Sequence, residues 1–316
     1  MNYDITAMGE LLIDFIPGGF DSQGDPTFIR KAGGAPLNLL ATAARYGART
    51  AMIGKVGDHQ FGRYLRKIMA ENGIRQNGLV TDPDRNTTLA FVTLTPDGER
   101  DFSFYRRNGA DAFLEKEEIN QELIQKAKIF HFGSLSLTTK LGRDTTAYAL
   151  ELAKQAGCII SYDPNYRAPL WEGENWAAAM MRRHLSEVDI LKVSKEEARM
   201  LTDGKTVEDC LRLLATFGVR VILLTDGSNG AYAAIDGQTA HLPAPRVQPV
   251  DTTGAGDIFF GTFLSEFIAA GGDWANLTPQ QVFDFTKTAV EVATQSTLQK
   301  GAIASIPHRE PKNSLY

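Results

Sequence analysis

Short, almost unbroken apolar runs alternate with stretches of helical periodicity along most of the chain. Residues 129–132, 158–163, 189–193 and 219–225 are four such runs. Continuous apolar strands of this kind are buried on both faces, as in parallel sheets. Helical spacing follows in 145–155 and again from Lys195. The first third repeats the alternation. A strand-like run over 3–16 is interrupted at Gly9-Glu10, a helical run follows Asn38 to Tyr46, and 51–56 reads as a strand before a helix over 61–72. The pattern predicts an α/β fold with a mostly parallel central sheet. Two β-branched and aromatic runs, 87–95 and 100–107, flank the turn residues 95–99 and predict a hairpin. On its second strand Phe102, Phe104 and Arg106 share one face, and Ser103, Tyr105 and Arg107 the other. A hairpin inserted among α/β units predicts a small second sheet. We expect it to act as a lid built from about 11–31 and 87–107, on one domain spanning 1–316.

The most apolar helical stretch is 258–270, where Phe259, Phe260, Phe263, Leu264, Phe267 and Ile268 recur at helical spacing. Directly before it stands Asp251-Thr252-Thr253-Gly254-Ala255-Gly256-Asp257. Small residues there let backbone approach a ligand, and the free N–H groups of a helix start attract anions. Asp257 at that start adds a carboxylate to a phosphate cradle. The pair suits phosphoryl transfer to an alcohol: the N–H groups take developing charge and the carboxylate takes the hydroxyl proton. A tight turn with an N-cap is the plainer reading of the same residues. The helix start also predicts a lowered pKa for Asp257, and so a weak base.

A second small-residue turn, Ala32-Gly33-Gly34-Ala35-Pro36-Leu37-Asn38, opens the first helix, with Asn38 facing whatever lies over the glycines. Asp14 stands within an apolar run, either on a solvated strand face or aimed into a cleft. In open α/β sheets ligands bind beyond the carboxyl ends of strands. That rule puts Asp163-Pro164-Asn165, Ser194 to Glu197 and Thr225 to Gly230 on one rim.

Composition narrows the partners. Of 316 residues, 43% are hydrophobic and the net charge is −5, with no basic block, which argues against nucleic acid. No apolar run approaches the ~18 residues of a membrane span, and no signal peptide is apparent, so a cytoplasmic location is expected. Cys158 and Cys210 lie far apart and make no metal-ligand spacing. Familiar nucleotide motifs fail. Gly204-Lys205-Thr206 has Arg199 where a Walker loop needs its first glycine, and Phe259 stands where a dinucleotide fingerprint needs its third.

The two glycine-bearing turns, in this order and in this α/β setting, resemble the signatures of the ribokinase-like (PfkB) carbohydrate kinases, covering residues 3 to 307. Within them the chain is most similar to bacterial and plant fructokinases, through Gly9-Glu10-Leu11-Leu12-Ile13-Asp14-Phe15, Phe102-Ser103-Phe104-Tyr105-Arg106 and Asp163-Pro164-Asn165. The resemblance implies a three-layer sandwich with helices on both faces of the sheet, and an ATP-dependent phosphotransferase acting on a small sugar. It implies Asp257 as base and Gly254, Ala255 and Gly256 as anion hole. For the sugar it implicates Asp14, Gly33, Gly34, Asn38, Arg107, Arg167 and Asp257. For the nucleotide it implicates Lys192, Ser194, Thr225, Gly227, Gly230, Gly254 and Gly256. Glu197 resembles the carboxylate that organises hydrated Mg²⁺, with Ser194 where the family's N-x-x-E motif has asparagine, and Asn165 is a further candidate for the metal. Asp251, Thr253 and Gly301 match the loops that supply oxygens to K⁺ in some members. The implied acceptor is the 6-hydroxyl of D-fructose. A 2-keto-3-deoxygluconate kinase, with Arg106, Arg107 or Arg167 taking the acid, is the alternative; ribose or nucleoside kinases and a silent sugar sensor stand behind it. Lid sheets in this family often pair across a homodimer.

Overall fold

The computed structural model describes residues 2–94 and 100–309, with the side chains of 93–102 outside the description. The predicted turn 95–99 and the facing of Phe102 therefore lie outside the described residues. Nine strands form the large sheet: β1 (Tyr3–Met8), β4 (Thr50–Gly57), β5 (Arg75–Asp82), β8 (Ala127–Gly133), β9 (Ile159–Asp163), β10 (Ile190–Ser194), β11 (Val221–Thr225), β12 (Ala231–Ile235) and β13 (Gln238–Leu242). Their order is β13-β12-β11-β10-β9-β8-β1-β4-β5, and every pairing from β11 to β5 is parallel. Only β12 and β13 run antiparallel to their neighbours. The remaining strands, β2 (Leu12–Phe20), β3 (Pro26–Gly33), β6 (Thr88–Leu94) and β7 (Arg100–Tyr105), make a separate sheet in the order β3-β2-β6-β7. The break at Gly9-Glu10 is thus where the chain leaves one sheet for the other.

Among the described residues, ten α-helices accompany the strands: α1 (Ala35–Arg45), α2 (Gln60–Glu71), α3 (Gln121–Gln125), α4 (Lys140–Gln155), α5 (Glu174–Arg182), α6 (Lys195–Thr202), α7 (Val207–Ala215), α8 (Ala255–Ala269), α9 (Pro279–Ser296) and α10 (Ala302–Ser305). The period of two along the strands sorts their side chains into two cores. On β11, Val221 and Leu223 join the helices α1, α8 and α9, whereas Ile222 and Leu224 join α4 to α7. The expected three layers result. Several elements went unread in the sequence, among them β5, β12, α5 and α7, and most notably β13 and α9. β13 exposes most of its polar positions, and α9 carries little apolar excess, although Thr278 and Gln281 form a capping box at its start. Among the described residues, no helix is long and apolar enough to cross a membrane.

Close packing of α1 on α8 fixes where the first turn of α8 lies relative to the sheet. Eleven of the fifteen α8 residues are buried, so this helix has almost no water-facing side and its place is set by packing. Gly261 is the contact point. A Cβ there would lie 2.7 Å from the carbonyl oxygen of Leu39 and 2.8 Å from Cβ of Thr42, both on α1. Overpacking of that kind costs about 1–3 kcal/mol. Gly261→Ala should therefore lower the melting temperature by a few degrees, and an unchanged melting curve would mean that the two helices can separate without cost.

Candidate active site

The carboxyl ends of β8 to β11 and the start of α8 converge on one rim, the usual ligand edge of such a sheet. Asp257 is the third residue of α8 and is buried. Its Oδ2 accepts a hydrogen bond from Nδ2 of Asn38, on α1, at 2.8 Å. The Oδ1 of Asn38 is buried without a partner among the described residues. Gly254 caps the helix in the left-handed region at φ 76°, and a Cβ there would lie 2.4 Å from Cβ of Ala302, so glycine is required twice over. Of the proposed anion-hole N–H groups, that of Ala255 already donates to the carbonyl of Thr252 at 3.2 Å. The next N–H groups, of Gly256 and Asp257, have no carbonyl one turn back in the helix to bond.

Two cavities meet at this turn, and a third adjoins the first of them. The smallest, about 250 Å³, lies under the small sheet and is lined by Glu10, Asp14, Gly34, Asn38, Phe104, Asn165, Arg167, Gly254 and Asp257 among others. It suits a small polar molecule. A larger one, about 620 Å³, lies on the other side of the turn, between the Thr225–Gly230 loop, Ala255, Gly256 and the apolar residues Pro245, Val247 and Phe259. The third, about 350 Å³, is bounded by Asn165, Arg167, Lys192, Ser194 and Glu197. Thr252 borders the first two cavities, and Asn165 and Arg167 border the first and third.

The buried carboxylates set the electrostatics. Burial raises the pKa of Asp257, against the opposing pull of Asn38 and Lys192. The lowering expected from the helix start is overturned, because desolvation outweighs the helix dipole at a buried position. Asp14 faces the small cavity rather than solvent. Gly33 makes room for it, since a Cβ there would lie 2.1 Å from its Oδ2. Burial pushes Asp14 up to about 7, although Arg167 opposes this. Glu10 is also pushed up to about 7 by burial. Lys192 reaches Asp163 at 3.0 Å and stays an ammonium: burial works against its charge, but Asp163, Glu197 and Asp257 outweigh it and raise its pKa.

Several sequence expectations shift. Arg107 is exposed and does not line the small cavity. Its neighbour Arg106 is the buried one, and its guanidinium is taken by Asp111, Thr138 and the Leu135 carbonyl. Lys192 and Ser194 line the third cavity, apart from Thr225, Gly227 and Gly230 in the large one. Glu197, the carboxylate that the resemblance assigns to hydrated Mg²⁺, lines the third cavity with Lys192 and Ser194. It is buried, and its two carboxylate oxygens accept from the N–H groups of Tyr166 (2.6 Å) and Ser194 (2.7 Å). Asp251 accepts from Thr253 N–H at 2.8 Å and Gly301 N–H at 2.9 Å, which draws those three residues together. Two contributors were missed. Glu10 was read only as a break between strands; its Oε1 accepts from Ala35 N–H at 2.9 Å, at the start of α1. Val290, Ala293 and Thr294 of α9 wall the large cavity, and only the capping box hinted at their helix.

Comparison with known proteins gives the family. The pattern described as "pfkB family carbohydrate kinase" matches residues 3–309. Fructokinase-1 of Zea mays is 40% identical over 308 residues, covering 96% of this chain and 94% of its own. Probable fructokinase-5 of Arabidopsis thaliana is 39% identical over 307 residues, with the same coverage. Among solved structures, fructokinase with bound ATP from Xylella fastidiosa superposes with a TM-score of 0.87 at 32% identity, covering 97% of this chain and 96% of that one. Fructokinase from Vibrio cholerae O395, in a fructose-, ADP- and calcium-bound form, gives 0.87 at 31% identity and covers 97% of each chain. With the match running through both glycine-bearing turns that build the cavities, the chain belongs to the pfkB family of carbohydrate kinases.

Proposed function

We propose that this protein transfers the γ-phosphate of ATP to the 6-hydroxyl of D-fructose, giving fructose 6-phosphate and ADP. One observation carries the reading: the first turn of α8 is the wall between a small polar cavity and a larger, partly apolar one. A sugar in the first and a nucleotide in the second would meet across Gly254 to Asp257. Fructokinases from plants and bacteria stand among its relatives, one of them in a fructose- and ADP-bound form.

The step is a displacement at phosphorus. The sugar oxygen bonds to the γ-phosphorus as its proton passes to Asp257, and the bond to the bridging oxygen of ADP breaks. The raised pKa of Asp257 makes it a better acceptor than an exposed aspartate. Asn38 holds that carboxylate in place, and its own unpartnered Oδ1 offers an acceptor to the sugar. Free N–H groups of the first α8 turn take charge on the phosphoryl group. Mg²⁺ would be held at the third cavity, where Asn165 and Glu197 offer oxygens. Both oxygens of Glu197 are already engaged by backbone, so its contact with the ion would run through water. When bound with ATP, Mg²⁺ neutralises phosphate charge. K⁺ would sit by the Asp251, Thr253 and Gly301 loops. The small sheet would serve as the lid that excludes water during transfer. Its exposed Phe20, Phe28, Ile29 and Tyr105 would pair it with a second copy in a homodimer. A cytoplasmic location goes with the use of ATP.

Charge favours a neutral sugar over 2-keto-3-deoxygluconate. Glu10, Asp14 and Asp257 line the small cavity, and Arg167 is the cation that borders it among the described residues. Carboxylates accept sugar hydroxyls well but repel an acid. ADP release should be measured with Mg²⁺-ATP across fructose, 2-keto-3-deoxygluconate, ribose, glucose and a purine nucleoside. We expect fructose to lead by at least tenfold in kcat/KM. Preference for the keto-acid would overturn the sugar assignment, and no turnover with any, with K⁺ present, would favour a sugar-sensing role.

Asp14 also makes a prediction about stability. Its folded-state pKa is raised to about 7 from 3.8, so the folded chain binds more protons than the unfolded one between those values. Stability therefore falls as pH rises from about 4 to about 7, by about 1.4 kcal/mol per pH step of one at most. Asp14→Asn should melt a few degrees higher than the parent at pH 8, with the gap closing at pH 4.5, while its KM for fructose rises at least tenfold. Equal melting temperatures at pH 8 would contradict the cost assigned to this carboxylate.

A further inference from the structure

Asp163 ends β9 and Lys192 is the middle residue of the adjacent strand β10. Their ion pair, at 3.0 Å, is buried: the side chains are 4% and 7% exposed. Buried pairs often add little to stability, because desolvation offsets the attraction. Their location suggests another use. A Cβ on Gly256 would lie 3.0 Å from the Lys192 Nζ, so the absence of a side chain there lets the ammonium reach the first turn of α8. That turn is the positive end of a helix, an unfavourable neighbour for a cation unless an anion comes to lie by both. Asp163 has no spare oxygen. Oδ2 holds Lys192, and Oδ1 accepts from Asn165 N–H at 3.1 Å, supporting that residue at φ 47°, in the left-handed region. One carboxylate therefore fixes two residues that line the third cavity, one of which, Asn165, also lines the small one.

We propose that Asp163 is a positioning residue that holds the Lys192 ammonium against Gly256, where it stabilises the phosphoryl group in transit. The inference rests on the kinase reading of this site. As the bond from the γ-phosphorus to the bridging oxygen breaks and the bond to the sugar oxygen forms, charge on the phosphoryl oxygens is shared by the α8 N–H groups and this ammonium. Without Asp163 the ammonium is free to turn toward Glu197 or Asp257, both of which already act on it electrostatically. The loss should fall on the transition state, and so on kcat, more than on ATP binding.

The test is a double-mutant cycle on the full chain with fructose and Mg²⁺-ATP. Asp163→Asn keeps an acceptor for Asn165 N–H and removes the charge that holds Lys192. Lys192→Met removes the held charge itself. We expect each to lower kcat about 100-fold, the scale of losing one charge-stabilising donor. KM for ATP should stay within about threefold, and the double variant should be no worse than Lys192→Met within about threefold. Multiplying effects would mean that the residues act independently and would overturn the proposal. So would a Lys192→Met enzyme with parental kcat, which decides the matter even if Asp163→Asn folds poorly. A parent inactive on every sugar would overturn the kinase reading and this inference together, whereas an active parent with an unaffected Lys192→Met variant overturns the inference alone.

Discussion

The approach of α1 to α8 at Gly261 is the contact on which the site depends. It brings Asn38 to Asp257 across 219 residues of sequence and fixes their hydrogen bond at 2.8 Å. It also sets the first turn of α8 as the partition between two cavities of different character. Because α8 is buried on nearly every side, it cannot drift without disturbing the core. Asp257 and the Gly254 turn thus sit on an element whose position is set by packing.

Charge in the site runs against stability. Glu10 and Asp14 are each pushed up to about 7 by burial, and Asp257 is raised as well. A folded chain selected for stability alone would not keep three carboxylates around one small cavity. They make sense as acceptors for hydroxyl groups that arrive with a ligand, which is the usual trade between stability and function. The buried, unpartnered Oδ1 of Asn38 belongs to the same pattern.

Much of this was legible in the sequence, for physical reasons. Buried parallel strands are apolar throughout, so 129–132, 158–163, 189–193 and 219–225 announced the central sheet. The strongly apolar 258–270 stretch announced α8, and the glycines before it announced a turn that no other residue could make. What was not legible depended on burial in three dimensions. No local pattern says that Asp257 loses more to desolvation than it gains from a helix start. Alternation along the 100–107 run put Arg106 and Arg107 on opposite faces, but did not say which of them would be buried beside Asp111. Glu10 looked like punctuation between strands until α1 folded back onto it. Helix α9 was missed because its cavity-facing residues, Val290, Ala293 and Thr294, make a weak apolar stripe.

The central claim is that Asp257 takes the proton of the sugar hydroxyl at the wall between the two cavities. Asp257→Asn keeps the size of the side chain and an oxygen for Asn38, and removes the base. Fructose-dependent ADP release and ATP binding, measured on one sample of this variant, test the claim most directly. We predict at least a ~100-fold loss of kcat with ATP binding close to that of the parent. Turnover near the parental rate would contradict the account.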